Sequence, residues 1–315
     1  MTVLKGECSM GNLLKGILVA SLSPFDSEYR LDVEATHDHM AWLSKNRFGG
    51  IVCNAHAGEG ETLTRKERKT IIQIAKEEIK GKFPIVAGVE AVAIPEVTEL
   101  IKDAKEAGAD AVMVCPPPIH GWVANLNPEI AVTYHQEIYK SIDFPQVLFR
   151  YRRDIPFSYP TSALVDIVKT VPSVIGIKLA GSDVMRYEDD VRALLALDKK
   201  ITIMPAATLM SYYFFQFYAD GGLTGFANFA PKMVIDLFDE CKKDNVALAR
   251  KIHNQIYGLA RIIYGDTSVN IHTRYKVAAA YIGSIPSSRV RPPLNPVPES
   301  EQKRIYSAMV EAGLL

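Results

Sequence analysis

The chain has 315 residues, 48% hydrophobic and 23% charged, with 36 basic against 36 acidic side chains and no net charge. At roughly 100–200 residues per domain this is one large domain or two ordinary ones, apolar enough for a sizeable core. Charge balance argues against a nucleic-acid binder, and no apolar run reaches the roughly 18–20 residues of a membrane span.

Near the N-terminus, Lys15 interrupts the apolar stretch from Leu13 to Val19 and no cleavage site follows, which argues against a secretory leader. Cys8, Cys53, Cys115 and Cys241 have neither close pairing nor metal-ligand spacing, which suits a reducing cytosol. The expected location is cytoplasmic.

Up to about residue 245, short Val/Ile/Gly-rich runs alternate with longer stretches of helical period. The spacing predicts strands over 16–24, 50–56, 84–90, 111–116, 146–151, 174–180, 201–206 and 223–229. Most are almost continuously apolar, as parallel strands covered on both sides should be. Between them, helices are expected over 65–80, 94–107, 128–141 and 161–170, with Ile71, Ile74, Ala75 and Ile79 recurring at three and four residues in the first. Thr64 and Asp32 stand where helix N-caps belong. No G-x-G-x-x-G follows the first strand, so an open dinucleotide-type sheet fits less well than a (β/α)8 TIM barrel. Residues 1–245 are read as the barrel. Residues 246–315 read as a C-terminal helical segment, with helices over 247–264, 270–282 and 299–312 and a proline-rich connector over 291–298.

In such a barrel the chemistry sits at the C-terminal ends of the strands. Those ends carry Asn54 to Gly60 with His56 and Glu59, then Glu90, then Cys115 with His120 beyond it, then Phe149 to Arg153, Lys178 and Asn228. Lys178 is the sharpest of these signals. Period-two alternation puts it on one face with Val174, Gly176 and Ala180, small or apolar neighbours that leave room around the amine. Desolvation lowers a lysine pKa, and a neutral amine can attack a ketone to form a Schiff base. The bland alternatives are an ion pair with Glu90 or an outward lysine reaching solvent between helices.

The stretch Ile175-Gly176-Ile177-Lys178-Leu179-Ala180 resembles the dihydrodipicolinate synthase/N-acetylneuraminate lyase family, as do Gly58-Glu59 with Leu63-Thr64. Lys105-Glu106 leading into Ala107 to Ala111, Ser23-Pro24-Phe25-Asp26 and Ala227 to Pro231 fit the same family in order and spacing, from about residue 16 to 260. The resemblance implies a class I aldolase-type barrel, a homotetramer or homodimer, whose lysine forms an imine with pyruvate or another 2-oxo acid. No cofactor and no metal are implied; the partner is a small-molecule 2-oxo acid, not nucleic acid or membrane.

Several positions depart from the family pattern. Where the family's second strand ends Gly-Thr-Thr-Gly-Glu, this chain has Ala55, His56, Ala57, Gly58 and Glu59. Phe149 replaces the fifth-strand tyrosine, and Pro117-Pro118 align with the tyrosine lent by a neighbouring subunit. The hydroxyl relay of the synthase is therefore missing in its usual form, and the lysine-biosynthesis reaction is not assigned. Tyr151, two residues on and on the same face as Phe149, is expected to supply the phenol, with His56 as an alternative proton carrier. Backbone N–H groups of His56 and Ala57 can still hold a carboxylate. Arg152 or Arg153 is expected to read an acidic substrate, whereas Arg150 should alternate away from the interior. Leu223 on the eighth strand is counted with the substrate-binding residues, and Glu59 is read as a brace.

A metal-dependent aldolase would need clustered ligands at strand ends; His56 and His120 are the histidines there, and His37 and His39 diverge on a helix. Gly221-Gly222 reads as a tight turn before the eighth strand or as a phosphate site. A hydratase or dehydratase using the same imine, and a sensor barrel that has lost its relay, are the competing functions.

Overall fold

The computed structural model describes residues 14–118, 127–265 and 270–315. Eight parallel strands follow one another around a TIM barrel: β1 Gly16–Ala20, β2 Gly50–Cys53, β3 Ile85–Val89, β4 Ala111–Val114, β5 Gln146–Arg150, β6 Val174–Ala180, β7 Thr202–Ala206 and β8 Gly221–Thr224. Hydrogen-bonded ladders run from β7 through β6 to β1 and on to β8. The remaining seam, β7 to β8, is stitched by Asp220, whose carboxylate accepts from Ile203 N at 2.9 Å while its own N–H donates to Ile203 O at 3.0 Å. Every residue of β2, β3, β4 and β5 is buried, the near-continuous apolar pattern that helices on the outside and packing inside require.

The outer helices are α1 Val33–Leu43, α2 Arg65–Ile79, α3 Ile94–Ala107, α4 Pro128–Ser141, α5 Thr161–Thr170, α6 Val184–Leu195, α7 Ser211–Phe217 and α8 Pro231–Lys242. After the barrel come α9 Val246–Ile263, α10 Ile271–Tyr281 and α11 Glu299–Glu311. The predicted caps act as such. Asp32 accepts from Ala35 N at 3.0 Å, and Thr64 and Glu67 form a reciprocal capping box that starts α2. Among the described residues no helix is long and apolar enough to cross a membrane.

Sequence reading misplaced the eighth strand. It lies over Gly221–Thr224, and the apolar run Phe226–Asn228 is a 3-10 turn. Gly221 pairs with Gly16 so closely that a Cβ would sit 2.0 Å from the Gly16 carbonyl oxygen. The two glycines are therefore neither turn nor phosphate loop; they let β8 approach β1 to close the barrel.

The loop after β2 is held from the other end of the chain. Asn54 (φ 58°) and Glu59 (φ 54°) both adopt left-handed backbone, which costs a non-glycine residue roughly 1 kcal/mol or more. Glu59 forms a fully buried ion pair with Lys276 of α10 and accepts from Arg291 N at 2.9 Å. Lys276 also donates to Arg289 O at 2.8 Å and lies 4.1 Å from the Phe25 ring centroid. This is the bracing role expected of Glu59. Burial brings the Lys276 pKa down to about 8, against the pull of Glu59. Glu59→Gln would strand that lysine in the interior, a change typically costing about 3–5 kcal/mol. A clear drop in thermal midpoint is the expected result, and an unchanged midpoint would show that the brace carries no weight.

Candidate active site

Lys178 lies in β6 between Phe149 of β5 and Met204 of β7 in register. Its Nζ stands 3.9 Å from the Phe149 ring centroid. Among the described residues the amine has no ion pair or hydrogen bond, because Glu90 is turned to His56 instead. Burial brings the Lys178 pKa down from 10.5 to about 8. Cys115 lies nearby, but burial pushes its thiol so far up that it stays protonated and offers the amine no counter-charge. At pH 7 about a tenth of such an amine is neutral, against roughly four parts in ten thousand for an ordinary lysine. The aromatic face opposes this by favouring the cation, an effect typically worth ~0.5–2 kcal/mol.

His56 opens the 3-10 turn His56–Gly58 that follows β2. Glu61 Oε1 and Glu90 Oε2 each lie 3.1 Å from its Nε2, and the Tyr151 hydroxyl lies 2.9 Å from the same nitrogen. Burial alone would lower the His56 pKa, but hydrogen bonds to Glu61 and Glu90 outweigh it and raise the value above 6.5. The neighbouring His272 of α10 stacks at 6.3 Å between centroids and is held neutral, its pKa lowered to about 3 by burial and by the His56 charge. The proton at this mouth therefore belongs to His56.

Tyr151 lies just beyond β5. Its carbonyl accepts from Ser158 Oγ at 2.7 Å and Arg150 Nη1 at 3.3 Å, which fixes the backbone where the strand ends. Its ring packs on Phe149 at 4.1 Å and edge-on to Phe157 at 4.9 Å. Burial pushes its phenol well above the ordinary value, so it works as a hydroxyl and not as a free phenolate. Thus Lys178, Phe149, Tyr151 and His56 form one connected group, with Glu61, Glu90, Cys115 and His272 around it.

The other expected residues fall differently. Ala57 is buried in the same turn, and among the described residues no hydrogen bond uses the backbone N–H of His56 or Ala57. Arg152 pairs with Asp154 at 2.7 Å, its stem lying over Gly181 just past β6. Arg153, 78% exposed, points to Asp183 at 3.5 Å. Each guanidinium has a carboxylate nearby in an exposed pair, a kind of contact worth little in water. Arg150 turns outward from the barrel, as alternation requires, and pairs with the buried Asp190 at 2.9 Å. Leu223 is buried in the core on β8. Asn228 ties His39 (3.1 Å) to the Ala20 carbonyl (2.7 Å) and is structural. His120 lies outside the described residues.

Sequence reasoning listed Glu90 and Cys115 as strand-end residues without joining them to His56. Glu61 was not singled out. His272 carried no local signal at all, because α10 delivers it from more than 200 residues away in sequence.

The sequence profile of the Dihydrodipicolinate synthetase family matches residues 13–312. The 4-hydroxy-tetrahydrodipicolinate synthase of Bartonella quintana is 26% identical over 303 residues, covering 96% of this chain and 99% of that one. An uncharacterized DapA-like lyase of Pyrobaculum islandicum is 22% identical over 309 residues, covering 96% and 99%. The crystal structure of dihydrodipicolinate synthase from Thermotoga maritima superposes with a TM-score of 0.89 at 21% identity, over 96% of this chain and 100% of that one, a likeness of fold. The chain, an enzyme of the lyase class, belongs to the dihydrodipicolinate synthetase family.

Proposed function

We propose that the protein is a class I lyase that makes or breaks a C–C bond next to a 2-oxo acid, pyruvate or a relative, through an imine on Lys178. The observation that carries this reading is a half-buried, desolvated lysine on β6 with no counter-ion among the described residues and a pKa near 8, lying on the same Phe149 ring that packs against Tyr151 of a tyrosine–histidine–carboxylate chain. The neutral amine attacks the ketone and the protonated imine then withdraws electrons from the bond that breaks. Free N–H groups of His56 and Ala57 are suited to the substrate carboxylate. Tyr151 passes a proton to or from the reacting carbon or leaving oxygen and is recharged by His56, whose raised pKa keeps a proton available at neutral pH. Imine chemistry of this kind needs no cofactor. Family membership supports a homotetramer or homodimer in the cytoplasm.

The reading excludes efficient dihydrodipicolinate synthesis, because Phe149, Ala57 and Pro118 stand where that reaction has hydroxyl groups. Borohydride added to the protein with each of a panel of 2-oxo acids should give a reduced adduct by intact mass for the true substrate class. Trapping should accelerate about tenfold per pH unit below 8 and level off above it, because the amine is freed as pH rises through its lowered pKa. No adduct with any 2-oxo acid would end the imine reading; an adduct whose rate does not rise with pH would show instead that the amine's pKa is not lowered. Turnover of pyruvate with aspartate semialdehyde near the median enzyme value of roughly 10 per second would show the protein to be the synthase after all.

A further inference from the structure

Loops after three successive strands aim donor atoms at one point of the barrel mouth. His56 follows β2, Glu90 follows β3 and Cys115 follows β4. One ligand atom from each lies within 4.8 Å of the other two. The crowding around His56 is unusual for a hydrogen-bonded group. Glu61 Oε1 and Glu90 Oε2 both stand 3.1 Å from Nε2, and the Tyr151 hydroxyl stands 2.9 Å from it. A ring nitrogen offers one proton or one lone pair, so these neighbours cannot all be served at full strength. A divalent cation at this point would satisfy both carboxylates at once.

We propose that His56, Glu90 and Cys115 form a binding site for one zinc-class divalent cation at the barrel mouth. Ligation displaces the Cys115 proton to solvent, and imidazole, carboxylate and the resulting thiolate together suit zinc and its borderline-soft neighbours better than magnesium or calcium, which prefer all-oxygen sites. Metal–ligand bonds of about 2.0–2.3 Å place tetrahedral donors about 3.5 Å apart, so the group needs to contract by about an ångström. Three protein ligands leave a fourth position for water or for Glu61, which already reaches toward His56. Ligation occupies Nε2, the atom that serves Tyr151, so a bound ion takes His56 out of the proton relay. Inhibition by the ion rests on the function proposed above; binding of the ion does not.

The test is titration of the metal-free full-length chain with Co²⁺. The expected result is one saturating equivalent, a sulfur-to-cobalt charge-transfer band in the near ultraviolet, and the strong visible bands of four-coordinate cobalt, all abolished by added Zn²⁺. Cys53 and Cys241 are also free thiols. Cys115→Ser must therefore remove the charge-transfer band, and Glu90→Gln must weaken binding at least about 100-fold, more than loss of an outer-sphere partner does. Circular dichroism checks that each variant is folded. Should either fail to fold, the unmodified protein still decides: no saturable cobalt, or cobalt without a sulfur band, overturns the site. A band that survives in folded Cys115→Ser overturns it as well. Borohydride trapping on the metal-free protein is read separately. An adduct without a cobalt spectrum rejects only the metal site, and a cobalt spectrum without an adduct rejects only the imine.

Discussion

Lys178→Ala should abolish turnover and erase the reduced 2-oxo acid adduct from the peptide carrying residue 178. The effect is total because the amine is the bond-forming atom, and no neighbouring group can replace it: Cys115 is held protonated and His56 is engaged by Glu61 and Glu90. The fold should survive. Lys178 has no ion pair among the described residues to break, and its charged form is disfavoured where it sits. Removing it therefore relieves a desolvation cost instead of exposing an orphaned partner, the opposite of the case at Glu59. A thermal midpoint at or above that of the parent chain is expected alongside the lost activity. The sign follows from linkage: a lysine depressed to about 8 binds fewer protons folded than unfolded between that value and about 10.5. Its penalty is fully present below pH 8 and fades as pH rises through that window, so Lys178→Met should gain most at neutral pH. Full turnover by Lys178→Ala would sink the mechanism.

Tyr151→Phe should lower turnover about 10²–10⁴-fold, the usual worth of positioned acid–base help, while leaving the folding midpoint nearly unchanged. One oxygen is lost, and with it the 2.9 Å contact to His56 Nε2. The ring's packing on Phe149 and Phe157 is kept. Borohydride trapping at Lys178 should persist, since slow attack suffices for it, and that separation distinguishes a proton carrier from a packing residue. Wild-type turnover by Tyr151→Phe on the true substrate would move the relay to His56 and its two carboxylates, with His56→Ala the variant to make next.

Barrel architecture, the helix caps and the position of Lys178 were legible in the chain because each is a local pattern. Near-continuous apolar runs of strand length mark buried parallel strands, Thr64 and Asp32 mark helix starts, and a lysine at alternating register among small residues marks a pocket. The placement of Tyr151 followed the same rule: residues two apart along an extended run share a face, and just beyond β5 its ring lies against Phe149. The eighth strand was misjudged because the Gly221–Gly222 pair is dictated by the backbone of β1, an element more than 200 residues earlier, and not by its own neighbours.

What only the tertiary structure decided is the company His56 keeps. Glu61, Glu90 and Cys115 come from separate loops and His272 from a helix beyond the barrel, and none is periodic with the others. Barrel closure brings strand ends to within side-chain reach, so Glu61, Glu90 and Tyr151, up to 95 residues from His56 along the chain, meet at one nitrogen. The arginines show the same. A run of cations beside a strand end suggests substrate recognition, but which carboxylate each one meets, Asp154 for Arg152 and Asp183 for Arg153, is visible only in the folded chain. A residue's type and place along a strand are local facts; which charge answers which is set by distances that exist only once the barrel is closed.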